Sequence, residues 1–262
     1  MSALRIALVQ DHPIWERPEA NLERLEARIQ GIRNSDLIVL PELFSTGFSM
    51  HPERFGEANL QFGLPWMQRL SLKTGAALCG SLAVPDEAGH WRNRLYFVEG
   101  GAVTAVYDKR HSFGLAGEQQ VYRSGNRYVQ LRYQSWNIAL FVCYDVRFPA
   151  WCRQTDAMGT PADLMIFVAN WPTERIEAWN TLLRARAIEN QCFVAGVNRV
   201  GPDGNGVDHC GRSALVDYTG RLVLSLAESE GVLRATLHPD PLLDFRRALP
   251  FLEDRDHFTF SD

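Results

Sequence analysis

Short apolar runs typical of buried β-strands recur along the whole chain, and their number most limits the possible folds. Arg5–Gln10 and Leu37–Leu40 lack polar alternation, which predicts strands buried on both faces. Between them, leucines and isoleucines at helical spacing predict an amphipathic helix over Pro18–Asn34. About a dozen such strands with four or five helices are too many for one doubly wound sheet. We therefore predict an α/β (α+β) fold in which two sheets pack face to face with helices outside, a four-layer αββα sandwich.

The other predicted elements follow at regular intervals. Further helices are expected over Pro65–Thr74, Glu174–Glu189 and Pro239–Arg247. Further strands are expected over Ala77–Val84, Trp91–Glu99, Ala102–Asp108, Tyr128–Leu131, Asn137–Val142, Leu164–Ala169, Cys192–Asn198, Ser213–Val216, Leu222–Leu226 and Gly231–Leu237. Because no linker-like change in composition interrupts the chain, we expect one domain over residues 1–262.

Composition excludes several classes of protein. The net charge of −4 gives no reason to expect a nucleic acid partner. No apolar run approaches the roughly 18 to 20 residues of a membrane helix, and the N-terminus lacks the pattern of a signal peptide. The 5 cysteines are an odd number without a C-x-x-C pair, which favours a reducing cytoplasm over disulfides or a zinc site.

Cys143 ends one of the buried strands, immediately before a predicted turn or helix start. Unsatisfied backbone N–H groups at such a point favour a thiolate and can bind an oxyanion. A small buried packing residue is an equally good interpretation of this stretch alone. Cys79, Cys152, Cys192 and Cys210 are better explained as packing residues, and their spacing does not fit tetrahedral zinc.

Two further strand ends carry ionisable side chains. Glu42 follows the run Leu37–Leu40, where an apolar environment is expected to raise the pKa of the carboxyl and suit it to act as a general base. Taken alone, a solvated loop residue or helix cap is the simpler interpretation of Glu42. Lys109 is one of only 2 lysines, the other being Lys73, in a chain with 27 basic residues. A compact ammonium suits a point oxyanion, whereas an exposed basic run is the plain alternative.

Glu, Lys and Cys at three strand ends, in this order, make the sequence resemble the nitrilase superfamily of carbon–nitrogen hydrolases. The segments that carry the resemblance span nearly the whole chain: Leu40–Glu42, Tyr107–His111, Gly117–Glu118, Cys143–Pro149, Val168–Pro172, Arg184–Gln191 and Asn198–Gly206. Within the superfamily the sequence is most similar to bacterial ω-amidases of the YafV type. The resemblance implies the αββα sandwich of the nitrilase type and a cytoplasmic homodimer or larger homo-oligomer.

The resemblance also implies roles for individual residues. Cys143 is expected to be the nucleophile, Glu42 the general base and Lys109 the oxyanion stabiliser. Glu118 matches the additional glutamate of the family, which positions the others, and the Tyr144 backbone N–H is expected to complete the oxyanion hole. The implied substrate is a small linear ω-amide such as 2-oxoglutaramate or 2-oxosuccinamate, with another amide such as deaminated glutathione, or a nitrile, as alternatives. Neither a metal nor an organic cofactor is expected.

Two rival interpretations remain open from the sequence. A Cys–His hydrolase would pair Cys143 with His111 but would leave Glu42 and Lys109 without a role. A catalytically inactive binding relative is the alternative from another class.

The walls of the pocket are harder to predict. Trp171, Phe48 and Phe113 are candidates for substrate contacts, although core packing is the default for each aromatic residue. The spacing of the acidic residues in the segment 203–208 does not fit a calcium site. We expect this segment to form a loop near the pocket. Arg147 is as compatible with an ion pair to Asp145 or a glutamate as with binding a substrate carboxylate, so the sequence offers no strong carboxylate clamp.

Overall fold

Two six-stranded sheets form the centre of the molecule. The computed structural model describes residues 2–153, 159–256, 258 and 260. The first sheet has the strand order β12-β1-β2-β3-β4-β5 and the second has the order β11-β10-β9-β8-β7-β6. In each sheet three consecutive strands run parallel, β1 with β2 and β3, and β7 with β8 and β9, whereas the outer strands are antiparallel. This mixture confirms the prediction of two sheets.

The strands closely match the apolar runs of the sequence. They are β1 (Leu4–Gln10), β2 (Leu37–Val39), β3 (Ala77–Pro85), β4 (Trp91–Glu99), β5 (Ala102–Asp108), β6 (Gln130–Tyr133), β7 (Trp136–Val142), β8 (Leu164–Ala169), β9 (Phe193–Asn198), β10 (Ala214–Val216), β11 (Leu222–Ser225) and β12 (Gly231–Leu237). The α-helical segments are α1 (Pro18–Gln30), α2 (Gly56–Ala58), α3 (Leu64–Thr74), α4 (Glu118–Val121), α5 (Pro149–Cys152), α6 (Ile176–Asn190) and α7 (Pro239–Ala248).

Apolar side chains fill three interfaces between four layers. Between the sheets, residues such as Leu8 and Phe97 of the first sheet belong to the same buried cluster as Phe141 and Phe167 of the second. On the outer face of the first sheet, α1 and α3 bury their apolar stripes against β1, β2 and β3. On the outer face of the second sheet, α6 packs through buried residues that include Trp179. The layers are therefore helix, sheet, sheet and helix, which confirms the αββα sandwich.

Element boundaries differ from the predictions at a few points. Helix α1 ends at Gln30 instead of Asn34, because Gly31 follows it and Asn34 has a left-handed backbone with φ of 57°. Strand β6 begins two residues later than expected, because its register is set by the hairpin that pairs Tyr133 with Trp136. Helix α6 begins at Ile176, after a 3₁₀ turn that follows Pro172.

Candidate active site

Three strand ends bring Glu42, Lys109 and Cys143 to one region of the molecule. Glu42 lies just beyond β2, Lys109 follows β5 directly, and Cys143 follows β7 directly. The first two strands belong to one sheet and the third to the other. Face-to-face packing of the sheets therefore gathers the three side chains, and the charges of Glu42 and Lys109 both act on the Cys143 thiol.

Glu42 is fully buried and surrounded by hydrogen-bond donors. Its Oε1 accepts from Lys109 Nζ at 2.9 Å and from Asn93 Nδ2 at 2.8 Å. Its Oε2 accepts from the backbone N–H of Asn170 at 2.8 Å and from Asn170 Nδ2 at 3.3 Å. Burial by itself would raise the pKa of Glu42, but the charge of Lys109 and these hydrogen bonds outweigh it, so the pKa lies below its ordinary value. The prediction of a raised pKa for Glu42 is therefore wrong.

Lys109 lies between two carboxylates in an environment closed to water. Its Nζ donates to Glu42 Oε1 and also to Glu118 Oε1 at 3.0 Å and Glu118 Oε2 at 2.9 Å, and only 3% of its side chain is exposed. Burial opposes the charged form, but Glu118 and Glu42 outweigh it and raise the pKa of Lys109 well above its ordinary value. The amine is therefore an ammonium at neutral pH.

Glu118 completes this cluster of buried charges. Its Oε2 also accepts the backbone N–H of Phe113 at 2.6 Å, which ties the loop after Lys109 to the carboxylate. Burial and the like charge of Glu42 raise the pKa of Glu118, whereas Lys109 opposes the shift. Glu118 thus anchors Lys109 through two hydrogen bonds in addition to the one that Glu42 accepts.

Cys143 has a left-handed backbone conformation, with φ of 47°. A residue other than glycine is strained there, and such strain is a feature of turns that project a nucleophile from the end of a strand. Its Sγ approaches the backbone carbonyl of Asn170 at 4.0 Å. Burial and the charges of Glu42 and Glu118 raise the pKa of the thiol well above its ordinary value, although Lys109 opposes them. The expectation that backbone N–H groups hold a thiolate at this position is therefore wrong, because burial and the two carboxylates dominate.

A cavity of about 460 Å³ opens onto Cys143. The three aromatic residues expected near the substrate, Phe48, Phe113 and Trp171, all line it, and so does Tyr144, whose backbone N–H was expected in the oxyanion hole. The Phe113 and Tyr144 rings pack edge to face with their centres 5.1 Å apart, and Lys109 Nζ lies 5.0 Å from the centre of the Phe48 ring. The predicted loop 203–208 forms part of the wall through three of its residues. The cavity therefore combines aromatic walls with a buried charge cluster beside the thiol.

Two arginines face this cavity, each stacked on an aromatic ring. The Arg147 guanidinium lies 4.8 Å from the centre of the Trp171 ring, and that of Arg175 lies 5.3 Å from the centre of Phe113. Within the described part of the chain, Arg147 forms no ion pair, so the alternative of a pair with Asp145 or a glutamate is wrong. The reason is that the Asp145 carboxylate accepts hydrogen bonds from other donors instead, including His111.

His111 and the other cysteines are engaged elsewhere. The His111 Nδ1 lies 2.8 Å from Asp145 Oδ1, and its ring stacks on Phe148 at 3.7 Å. All five cysteines are buried and have free thiols, and besides Cys143 three of them lie in the apolar cluster between or beside the sheets: Cys79, Cys152 and Cys192.

The sequence reasoning missed several residues of the site. Asn93 comes from the middle of β4 and has no local signal, whereas Asn170 follows β8 just as Cys143 follows β7 and could have been found by that rule. Met50, Arg175 and His209 also line the cavity. Among the described residues, no cluster of His, Cys, Asp or Glu is arranged to hold a metal ion. No helix in that part of the chain is both long and apolar enough to cross a membrane.

The sequence matches the carbon–nitrogen hydrolase family over residues 5–246, so the chain belongs to that family of hydrolases. Omega-amidase YafV of Escherichia coli strain K12 is 38% identical over 259 residues, which cover 98% of this chain and 99% of that protein. The 2-oxoglutaramate amidase of Paenarthrobacter nicotinovorans is 36% identical and covers 90% of this chain and 84% of its own. The crystal structure of a protein of this superfamily from Xanthomonas campestris, with an arsenic adduct in its active site, is 38% identical and superposes over 100% of both chains with a TM-score of 0.94.

Proposed function

We propose that this protein is a thiol amidohydrolase that converts a small linear ω-amide into a carboxylate and ammonia. The observation that carries the proposal is the buried cluster in which Lys109 bridges Glu42 and Glu118 beside the strained Cys143. Burying three charges is costly unless they are paired, and a cluster of this kind at a cavity is typical of a catalytic centre.

Acylation begins with a protonated thiol, because the pKa of Cys143 is raised. Glu42, which is ionised at neutral pH, takes the thiol proton as the sulfur attacks the amide carbon. The resulting tetrahedral oxyanion is stabilised by the Lys109 ammonium and the Tyr144 backbone N–H, and one such donor is worth about 3 kcal/mol. Glu42 then gives its proton to the departing ammonia, which leaves a thioester on Cys143.

Deacylation reuses the same groups. Glu42, again a carboxylate, removes a proton from water as that water attacks the thioester carbon. The second oxyanion forms in the same place, and its collapse expels the Cys143 sulfur, which recovers the proton from Glu42. Glu118 keeps Lys109 in position through both steps by accepting two of its hydrogen bonds. In the Cys–His alternative His111 would act as the base, but among the described residues His111 is not one of those that line the cavity at Cys143.

We further propose that the substrate is the ω-amide of a 2-oxo acid, such as 2-oxoglutaramate or 2-oxosuccinamate. The names of the relatives from Escherichia coli and Paenarthrobacter nicotinovorans support this class. Arg147 supports it chemically, since a guanidinium in the cavity without a carboxylate partner among the described residues matches a carboxylate on the substrate. Trp171 holds that guanidinium by stacking and thereby directs it into the cavity.

The same resemblance to the family supports three broader proposals. We propose that residues 1–262 form a single carbon–nitrogen hydrolase domain, that the protein acts in the cytoplasm, and that it is a homodimer or a larger homo-oligomer. Light scattering of the purified protein tests the last proposal, and a monomer at micromolar concentration would refute it.

Ammonia release over a panel of substrates tests the function directly. The panel contains 2-oxoglutaramate, 2-oxosuccinamate, glutamine, asparagine, deaminated glutathione and a nitrile, and we expect the highest kcat/KM for a 2-oxo acid amide. Preference for the nitrile would refute the assignment as an amidase. Cys143→Ala should abolish turnover, whereas Cys79→Ala, which removes a buried thiol of the sheet interface, serves as the control. Activity that survives Cys143→Ala would refute the thiol mechanism, and a wild-type protein inactive on every amide would favour a binding role.

A further inference from the structure

Asp145 has a fully buried carboxylate that accepts hydrogen bonds from four directions. Its Oδ2 accepts from the Tyr107 hydroxyl at 2.7 Å and from the backbone N–H of Val142 at 2.9 Å. Its Oδ1 accepts from the backbone N–H of His111 at 3.0 Å and lies 2.8 Å from His111 Nδ1. The Tyr107 hydroxyl in turn accepts from Trp151 Nε1 at 3.0 Å. This carboxylate therefore has donors on both oxygens, and within the described part of the chain none of them is a lysine or arginine.

These donors belong to the two segments that carry the nucleophile and the ammonium. Val142 immediately precedes Cys143 in the chain, whereas Tyr107 and His111 lie two residues to either side of Lys109. The two segments come from different sheets, since β7 lies in one and β5 in the other. One carboxylate thus ties the turn that carries Cys143 to the loop that carries Lys109.

We infer that Asp145 is a positioning residue that fixes the distance between Cys143 and Lys109. The inference rests on the proposed function, in which Lys109 must meet the oxyanion formed on the Cys143 adduct. Cys143 is held at a φ of 47°, a conformation that persists only where the surroundings enforce it. The hydrogen bond from Val142 to Asp145 restrains the residue just before this strained position, and the bonds from Tyr107 and His111 restrain Lys109.

A carboxylate is required at this position because the neighbouring groups are donors. The backbone N–H groups of Val142 and His111 can only donate, and the two contact different oxygens of Asp145. An asparagine would present its NH₂ group to one of these N–H groups, whichever way the amide is turned, and so lose one connection and place two donors together. Asp145→Asn therefore preserves the volume of the side chain and breaks its connection to one of the two segments.

Asp163 provides a matched control, because it is hydrogen-bonded to the beginning of β7, whereas Asp145 is hydrogen-bonded to its end. Asp163 is also buried, and its Oδ2 accepts the backbone N–H of Asn137, near the start of β7, at 2.9 Å. Its Oδ1 pairs with Arg246 at 2.9 Å. Neither partner belongs to the cavity that contains Cys143. Asp163→Asn therefore reports the cost of altering a buried carboxylate that is hydrogen-bonded to β7 without touching the two catalytic segments.

The first experiment compares Asp145→Asn and Asp163→Asn by steady-state kinetics at a temperature where both variants are folded. We expect Asp145→Asn to lower kcat by about 100-fold with KM within about 3-fold of the wild-type value, because a misplacement of about 1 Å can cost that much. Asp163→Asn should keep kcat within about 3-fold. Equal losses of kcat in the two variants would overturn the inference. If Asp145→Asn does not fold, Tyr107→Phe, which removes one of the four hydrogen bonds, should still lower kcat by about 5-fold at unchanged KM.

The second experiment does not depend on amidase activity. The rate at which iodoacetamide alkylates Cys143 is measured by peptide mass in the wild type, in Asp145→Asn, in Lys109→Ala and in the double variant. We expect Asp145→Asn to slow alkylation by about 10-fold alone and by less than about 2-fold in the Lys109→Ala background, because coupled residues are not additive. Equal slowing in both backgrounds would overturn the inference. Slowed alkylation together with a wild-type enzyme inactive on every amide would instead refute the proposed function and keep the positioning role.

Discussion

Lys109 Nζ donates a hydrogen bond of 2.9 Å to Glu42 Oε1, and both side chains are buried from water. The Coulomb attraction between such groups is strong because little solvent screens it. Lys109 Nζ also donates to both oxygens of Glu118, so two carboxyl groups share one ammonium. Because the pKa of Glu42 is lowered, Glu42 remains a carboxylate that can accept the proton of the Cys143 thiol without a second base.

Replacement of Lys109 by arginine should abolish most of the activity. Three oxygens within 3.0 Å surround the Lys109 Nζ in a fully packed site, and the larger planar guanidinium cannot occupy that point. We expect kcat/KM to fall by at least about 100-fold, the loss expected for one oxyanion donor. Lys73→Arg is the matched control, because Lys73 is half-exposed and contacts only Glu26 among the described residues. Near-normal turnover by Lys109→Arg would show that a cation of any shape suffices.

Replacement of Arg147 by methionine should affect only substrates that carry a carboxylate. Methionine can keep packing against Trp171, while the charge-assisted hydrogen bonds to the substrate are lost. For a 2-oxo acid amide we expect KM to rise by about 10- to 100-fold, and for an uncharged amide of the same length we expect kcat/KM to change by less than about 3-fold. Arg184→Met, on the exposed face of α6, is the control. Equal losses on both substrates would place the carboxylate site elsewhere.

A substitution of His111 distinguishes the two candidate general bases, Glu42 and His111. His111→Asn keeps an N–H group where Nδ1 faces Asp145 and removes the rest of the imidazole, including Nε2. Since we assign the base to Glu42, kcat should stay within about 10-fold of the wild-type value. A Cys–His mechanism predicts a loss of about 100-fold or more, as expected when a general base is removed. Steady-state ammonia release at pH 7 and 8 distinguishes these results.

His209 should make the fold sensitive to acid. Burial and the positive charge of Arg199 lower the pKa of His209 to about 4, whereas in the unfolded chain it is about 6.5. Below pH 6.5 the unfolded state therefore binds a proton that the folded state does not. The stability contributed by the neutral imidazole is full above pH 6.5 and is lost as the pH falls to about 4, by up to about 3 kcal/mol.

Urea unfolding between pH 4 and pH 7 measures this effect. We expect His209→Gln to flatten the dependence of the free energy of unfolding on pH over this window. His90→Gln, which alters a half-exposed imidazole, should leave the dependence unchanged. If His209→Gln has the same pH profile as the wild type, other groups cause the acid sensitivity.

Local pattern was sufficient to predict the fold and the positions of the three central residues. Uninterrupted apolar runs such as Leu37–Leu40 identify strands because such strands are buried on both faces, and the residues just after them lie at one edge of a sheet. Glu42 and Cys143 follow this rule, whereas Lys109 follows β5, a partly exposed edge strand of the first sheet. The family resemblance then suggested Glu118, which has a short and weak local motif.

Local pattern failed where long-range contacts decide the chemistry. The pKa of Glu42 depends on Asn93, Lys109 and Asn170, which lie 51, 67 and 128 residues away in the sequence. Only the folded chain brings these donors together, so the apolar run before Glu42 was a misleading guide. Arg147 shows the same limit, since the carboxylate of its sequence neighbour Asp145 accepts hydrogen bonds from the distant Tyr107 and His111 instead.

The pairing of β1 with β12 has a consequence for how the protein is made. Gln10 at one end of the chain is in register with Gly231 near the other, and the Gln10 side chain also donates to the backbone carbonyls of Ala227 and Ser229. The first sheet therefore lacks the strand on one side of β1, the side away from β2, until the ribosome has synthesised residues 231–237. Until then the nascent chain carries an open sheet edge, which makes it a natural client for chaperones that bind emerging polypeptides.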